Sequence, residues 1–85
     1  LDFRQPFGIF DAMTRAEIAQ VLATNISARR RKLKLTRLDV AARMSAPVSH
    51  VHRLEAGTRL SALDTVAKVA RALDVPLVKL LKGIA

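Results

Sequence analysis

The sequence contains no cysteine, which excludes a disulfide framework and a thiolate metal site. That fits a reducing compartment, and a cytoplasmic setting is the expectation. No apolar run approaches the ~18 residues that a membrane-crossing helix needs. No charged-then-apolar stretch of secretory form opens the chain, and it starts at Leu1 rather than Met, as a trimmed or tagged start would. A glycine-rich phosphate loop is missing. So are an alternating β pattern, an internal repeat and a linker. Aromatics are scarce: all three are Phe, and Phe3, Phe7 and Phe10 crowd together at the start. A chain of 85 residues is one domain at most. It buries only about 60% of its unfolded surface, so its core is modest.

Acidic residues are few too. Seven Asp and Glu face fifteen Lys and Arg, for a net charge of +8. Such a surplus on a small domain suits a polyanionic partner. Nucleic acid is the first candidate and an anionic membrane surface the second. Solubility alone is the plain alternative.

What is present divides into an arm over 1–13 and a helical domain over 14–85. The arm, LDFRQPFGIFDAM, mixes its three Phe with Pro6 and Gly8, which argue against a stable helix. It either folds back on its own domain or packs on a second subunit or partner protein. Thr14-Arg15-Ala16-Glu17 has the form of a capping box and starts a first helix. Ile18, Leu22, Ile26 and Leu33 recur along it at helical spacing, widened by Val21. Arg29, Arg30, Arg31, Lys32 and Lys34 crowd its C-terminal end, where cations suit the helix dipole. Thr36 caps a second helix over about 37–44 with Val40, Ala41 and Met44 inward. Ser45-Ala46-Pro47 breaks the chain before a third helix, Val48 to about Ala56, which Gly57 ends. Ser61 reads as the cap of a fourth helix with Asp64 three residues on. Leu63, Val66, Val69, Ala70 and Leu73 then point inward. Pro76 starts a last short helix with Leu77, Leu80 and Leu81.

The second and third helices, joined by a short break, have the helix-turn-helix outline. On the third, about 100° per residue puts Val51 and Leu54 on a packing side. Val48, Ser49, His52, Arg53 and Ala56 lie broadly opposite. The outer set suits a DNA major groove. Arg53 can bond O6 and N7 of guanine together, Ser49 can donate to a base edge or phosphate, and Val48 can touch a thymine methyl. His52 can donate or accept, and its protonation beside phosphate would make binding pH-sensitive.

The ordered segments Leu35-Thr36-Arg37, Val40-Ala41-Ala42-Arg43-Met44, Val51-His52-Arg53-Leu54-Glu55-Ala56-Gly57 and Leu63-Asp64-Thr65-Val66 through Leu73 carry a resemblance. Over roughly residues 20–81 the chain resembles the lambda-repressor-like, or Xre-type, helix-turn-helix DNA-binding domain. The resemblance implies an all-α, five-helix fold with Val48, Ser49 and Arg53 at base-reading positions. It places Thr36 and Arg37 on phosphate at the start of the second helix, and Thr58 and Arg59 on the backbone from a loop. It also implies an internal ion pair between Arg30 and Glu55. Four positions depart from the family pattern: Arg37 stands for the usual Gln, and Lys34 and Ser45 stand where Gly is frequent. Pro47 also replaces the usual Ser or Thr cap.

His50 and His52 lie about 200° apart on a helix, so they cannot share one ion: His50 is expected to flank the core and His52 to face solvent or DNA, and no metal or cofactor is expected. Ser49, His52 and Asp39 do not resemble a catalytic triad, so no enzyme is expected. The expectation is a sequence-specific transcriptional regulator, a repressor, acting on double-stranded DNA as a homodimer. Arg29, Arg31, Arg37, Arg43 and Arg59 are the candidates for phosphate attraction. The alternative is an antitoxin or co-activator-like module that meets another protein through 1–13 and 75–81. A third reading lays the first helix on a membrane surface.

Overall fold

The computed structural model describes residues 13–84. Five helices follow one another: α1 (Arg15–Lys32), α2 (Arg37–Met44), α3 (Val48–Ala56), α4 (Leu63–Ala72) and α5 (Leu77–Leu80). Among the described residues there is no strand. The all-α, five-helix expectation therefore holds. The arm expected over 1–13 lies, Met13 apart, outside the described residues.

Two helix starts are fixed by reciprocal hydrogen bonds. The Thr14 hydroxyl accepts from Glu17 N at 3.1 Å, and Thr14 N donates to Glu17 Oε1 at 2.9 Å. Thr36 and Asp39 repeat the arrangement on α2, at 3.0 Å and 2.8 Å. Each pair satisfies two backbone donors that a helix start leaves open. The other starts have no such side chain: Pro47, Ala62 and Pro76 stand at the caps of α3, α4 and α5. The cap of α4 is a correction. Ser61 is not the cap, and Asp64 sits at the second helical position, where its carboxylate accepts from Thr65 N at 2.9 Å.

The helix ends share one device. Lys34, Ser45 and Asp74 all take left-handed backbone, with φ of 59°, 53° and 56°. Beyond each, the chain folds back onto the helix: Leu35 N to Arg30 O, Ala46 N to Ala41 O and Val75 N to Ala70 O, at 3.0–3.1 Å. These bonds use up carbonyls that a helix end leaves open. Left-handed backbone costs a residue with a Cβ about 1–2 kcal/mol. Glycine avoids that at Gly57, where φ is 67°. There a Cβ would also lie 2.9 Å from Gln20 Nε2 and 3.0 Å from the Ala23 methyl. The approach is close because Gln20 donates its amide to Gly57 O at 2.9 Å, tying α1 to the end of α3.

The core gathers Leu22 and Ile26 of α1, Val40 and Ala41 of α2, Val51 and Leu54 of α3, Val66, Val69 and Ala70 of α4, Leu73, and Leu80 of α5. Each fully buried Leu, Ile or Val adds about 1.5–3 kcal/mol. Leu63 departs from the expected inward set and is 68% exposed. At about 100° per residue it falls at the margin of the stripe centred on Val66, Val69 and Leu73, at the open end of α4. Asn25 donates to Leu80 O and Lys82 O, both at 2.8 Å, and so fastens the C-terminal end to α1.

Two substitutions at left-handed positions should move stability in opposite directions. Ser45→Gly is expected to raise the urea-unfolding free energy by about 0.5–1 kcal/mol. Gly57→Ala should lower it by about 1–3 kcal/mol, through strain and crowding together. A gain from Gly57→Ala, or a loss from Ser45→Gly, would contradict the backbone assignment.

Candidate nucleic-acid interface

The geometry of α3 is set by one carboxylate. Glu55 has a side chain only 2% exposed, and it reaches the junction of α1, α2 and α3. Its Oε2 accepts from Arg30 Nε at 2.6 Å and its Oε1 from Arg30 Nη2 at 3.1 Å. Oε1 also accepts from the Ser27 hydroxyl at 2.8 Å and from Arg37 Nε at 3.1 Å. Arg30 gives its last nitrogen to Leu35 O at 2.9 Å, so the same side chain also fixes the turn between α1 and α2. The expected Arg30–Glu55 pair is present, and Arg37 and Ser27 complete it. Ser27 stands one helical turn before Arg30, so its place on that face was legible. The contact of Arg37 was not, because it depends on how α2 docks.

Burial pushes the Glu55 carboxyl up, but the hydrogen bonds from Arg30, Ser27 and Arg37 outweigh it and hold the group below the ordinary carboxylate range. The hydrogen bond to Glu55 likewise raises the Arg30 guanidinium. Asp39 is lowered first by its backbone hydrogen bond from Thr36.

With α3 held in this way, Ser49, His52, Arg53 and Ala56 are exposed, as the reading face requires. Val48 is a correction. It is half-buried and packs against the core. Three residues before Val51, it shares that residue's face rather than the opposite one. His50, expected to flank the core, is exposed, because the neighbouring loop leaves a groove beside it. Arg53, Thr58, Arg59, Ser61 and Thr65 line the same groove, which brings the outer face of α3 together with the loop leading to α4. Ser61 and Thr65 are hydroxyl groups that sequence reasoning did not assign to the site.

Thr36 and Arg37 stand at the start of α2, where the Thr36 hydroxyl oxygen is occupied as a cap while its own O–H remains a donor. Arg31 is exposed near Gln20 and Thr24 on α1. The arginines assigned to phosphate do not all stay free. Arg29 donates to Leu73 O at 3.1 Å and Asp74 O at 3.2 Å. Arg43 donates to Ala72 O at 2.9 Å. Both cover the C-terminal end of α4, where cations are favoured by the helix dipole. Among the described residues no three metal-binding side chains come together. None of the helices there is long and apolar enough to cross a membrane.

Comparison with known families agrees with this geometry. A family model described as Helix-turn-helix, HTH_3, matches residues 26–80. The chain belongs to this helix-turn-helix family, the Xre or lambda-repressor-like one. With that membership come DNA binding and the regulation of transcription. A comparison with curated proteins found no match, and neither did one with solved structures.

A carboxyl that holds its proton less tightly when folded adds stability above its unfolded pKa. That contribution is lost as pH falls through the folded value. Glu55→Gln is therefore expected to cost about 3 kcal/mol at neutral pH, because Arg30 loses its buried counter-charge. In urea titrations from neutral pH down to the acid range, the variant should lose less stability than the wild type. Asp39 has the same sign and contributes to the part that remains. An acid loss of unchanged size in Glu55→Gln would remove Glu55 from this role.

Proposed function

We propose that the protein is a sequence-specific regulator, acting as a repressor, that reads the DNA major groove with α3. The observation that carries this is the outer face of α3. It places Ser49, His52 and Arg53 free of core contacts, on a helix whose orientation is locked by Glu55. Arg53 supplies the planar fork that guanine recognition needs, and Ser49 and His52 supply shorter donors and acceptors. The exposed remainder of Val48 offers an apolar contact for a thymine methyl. Arg31, Thr36, Arg37, Arg43, Thr58 and Arg59 are the proposed phosphate contacts. Arg29 is left out of that set because two of its guanidinium nitrogens are engaged at the end of α4, whereas Arg43 gives one nitrogen there and stays in it.

One such module reads few bases, so we propose a homodimer on two half-sites about one DNA turn apart. No catalysis and no cofactor form part of the proposal. The adaptor reading is less well supported. Leu80 is buried, and Val75, Leu77 and Leu81 pack against the protein's own core, which leaves Val78 as the exposed large hydrophobic side chain of that segment.

Selection of duplexes from a randomised pool, followed by titration of the recovered site, tests the proposal. Arg53→Ala should relax sequence preference and cost about 1–3 kcal/mol on the recovered site, with little change on unrelated duplexes. An equal loss on every duplex would move Arg53 to phosphate. A pool that yields no preferred sequence would point to a protein partner instead.

A further inference from the structure

Behind the DNA-facing side lies a buried group of the wrong sign for a polyanion. Glu55 lies at the end of α3 and is shared between two arginines that differ in freedom. Arg30 is 13% exposed, and its nitrogens are used on Glu55 and on Leu35 O. Arg37 is 42% exposed, and among the described residues its one hydrogen bond is from Nε to Glu55 Oε1. Two guanidinium charges against one carboxylate leave the cluster with a net charge of plus one. The outer cation carries that surplus.

We propose that Glu55 is a positioning residue for DNA binding: it holds Arg37 by Nε and leaves both Nη groups as a preformed clamp for a DNA phosphate. The inference rests on the assignment of α2 and α3 to the DNA face. A free arginine on a helix surface loses rotamer freedom when it binds. Arg37 has lost much of it already, because one edge of its planar fork is anchored. The remaining pair of Nη donors matches two oxygens of one phosphate. Glutamine, the family's usual residue here, brings no such charge. The carboxylate therefore strengthens binding to an anion by fixing a cation, although its own charge opposes it.

The two effects predict opposite signs. Simple charge counting says that Glu55→Gln, which removes a negative charge, tightens DNA binding. Positioning says that it weakens binding. The test is fluorescence anisotropy with a labelled duplex recovered from a randomised pool by the wild-type protein, across a range of salt, on variants shown folded by circular dichroism. Arg37→Ala should lower the slope of log affinity against log salt by about one. Glu55→Gln should weaken binding by about two- to tenfold, the factor set by the ordering cost of one long side chain. In the Arg37→Ala background, Glu55→Gln should weaken it by a smaller factor, because only the hold of Glu55 on α3 through Arg30 and Ser27 is then lost. Arg37→Lys covers the case in which Glu55→Gln does not fold: it keeps the charge and salt slope but should lose affinity by a similar factor. Tighter binding by Glu55→Gln, an equal loss in both backgrounds, or full affinity in Arg37→Lys would overturn the inference. Wild-type protein that recovers no duplex overturns the DNA-face assignment itself, a result separate from zero coupling between Arg37 and Glu55.

Discussion

The carboxylate of Glu55 is the constraint on which the rest of the structure depends. It comes from the end of α3, yet its partners come from α1, from the start of α2 and, through Arg30, from the turn between them. Apolar packing alone would allow short helices to slide or rotate by small amounts. An ion pair with three donors has a narrower geometry. Desolvation makes a buried pair a poor source of net stability, but losing one partner is costly, so the arrangement favours one docking angle. For a helix of nine residues that must present a particular face, angle matters more than extra stability.

The same economy runs through the helix ends. Short helices leave a large share of their backbone groups open, and this chain closes them with side chains from elsewhere. Gln20 covers the end of α3, Arg29 and Arg43 cover the end of α4, and Asn25 covers the end of α5. Long-range caps of this kind join secondary structure to tertiary structure. They also fix where charge sits, because two of these caps are arginines.

Much of this was legible in the sequence. The helix order, the Thr14 and Thr36 caps, the Gly57 stop and the Arg30–Glu55 pair follow from local spacing and from the family resemblance. The failures have several causes. Leu63 lies near the margin of an apolar stripe, where the partner element decides which way a side chain is covered, whereas Val48, one turn before Val51, belongs to the packing side by spacing alone. Arg29 and Arg43 read as free cations because a carbonyl acceptor has no signature in sequence. His50 is exposed because the loop beside it stands off, and loop position is not written in periodicity.

The central claim is that α2, α3 and the loop after Gly57 form one DNA-facing surface held together through Glu55. The most direct test is to titrate isotope-labelled protein with a short duplex and follow the backbone amides by NMR. The account predicts that shifts concentrate in residues 36–37, 48–53 and 58–62, while the end of α4 and α5 stay unchanged. Shifts centred on α5 or on the N-terminal half of α1 would contradict it.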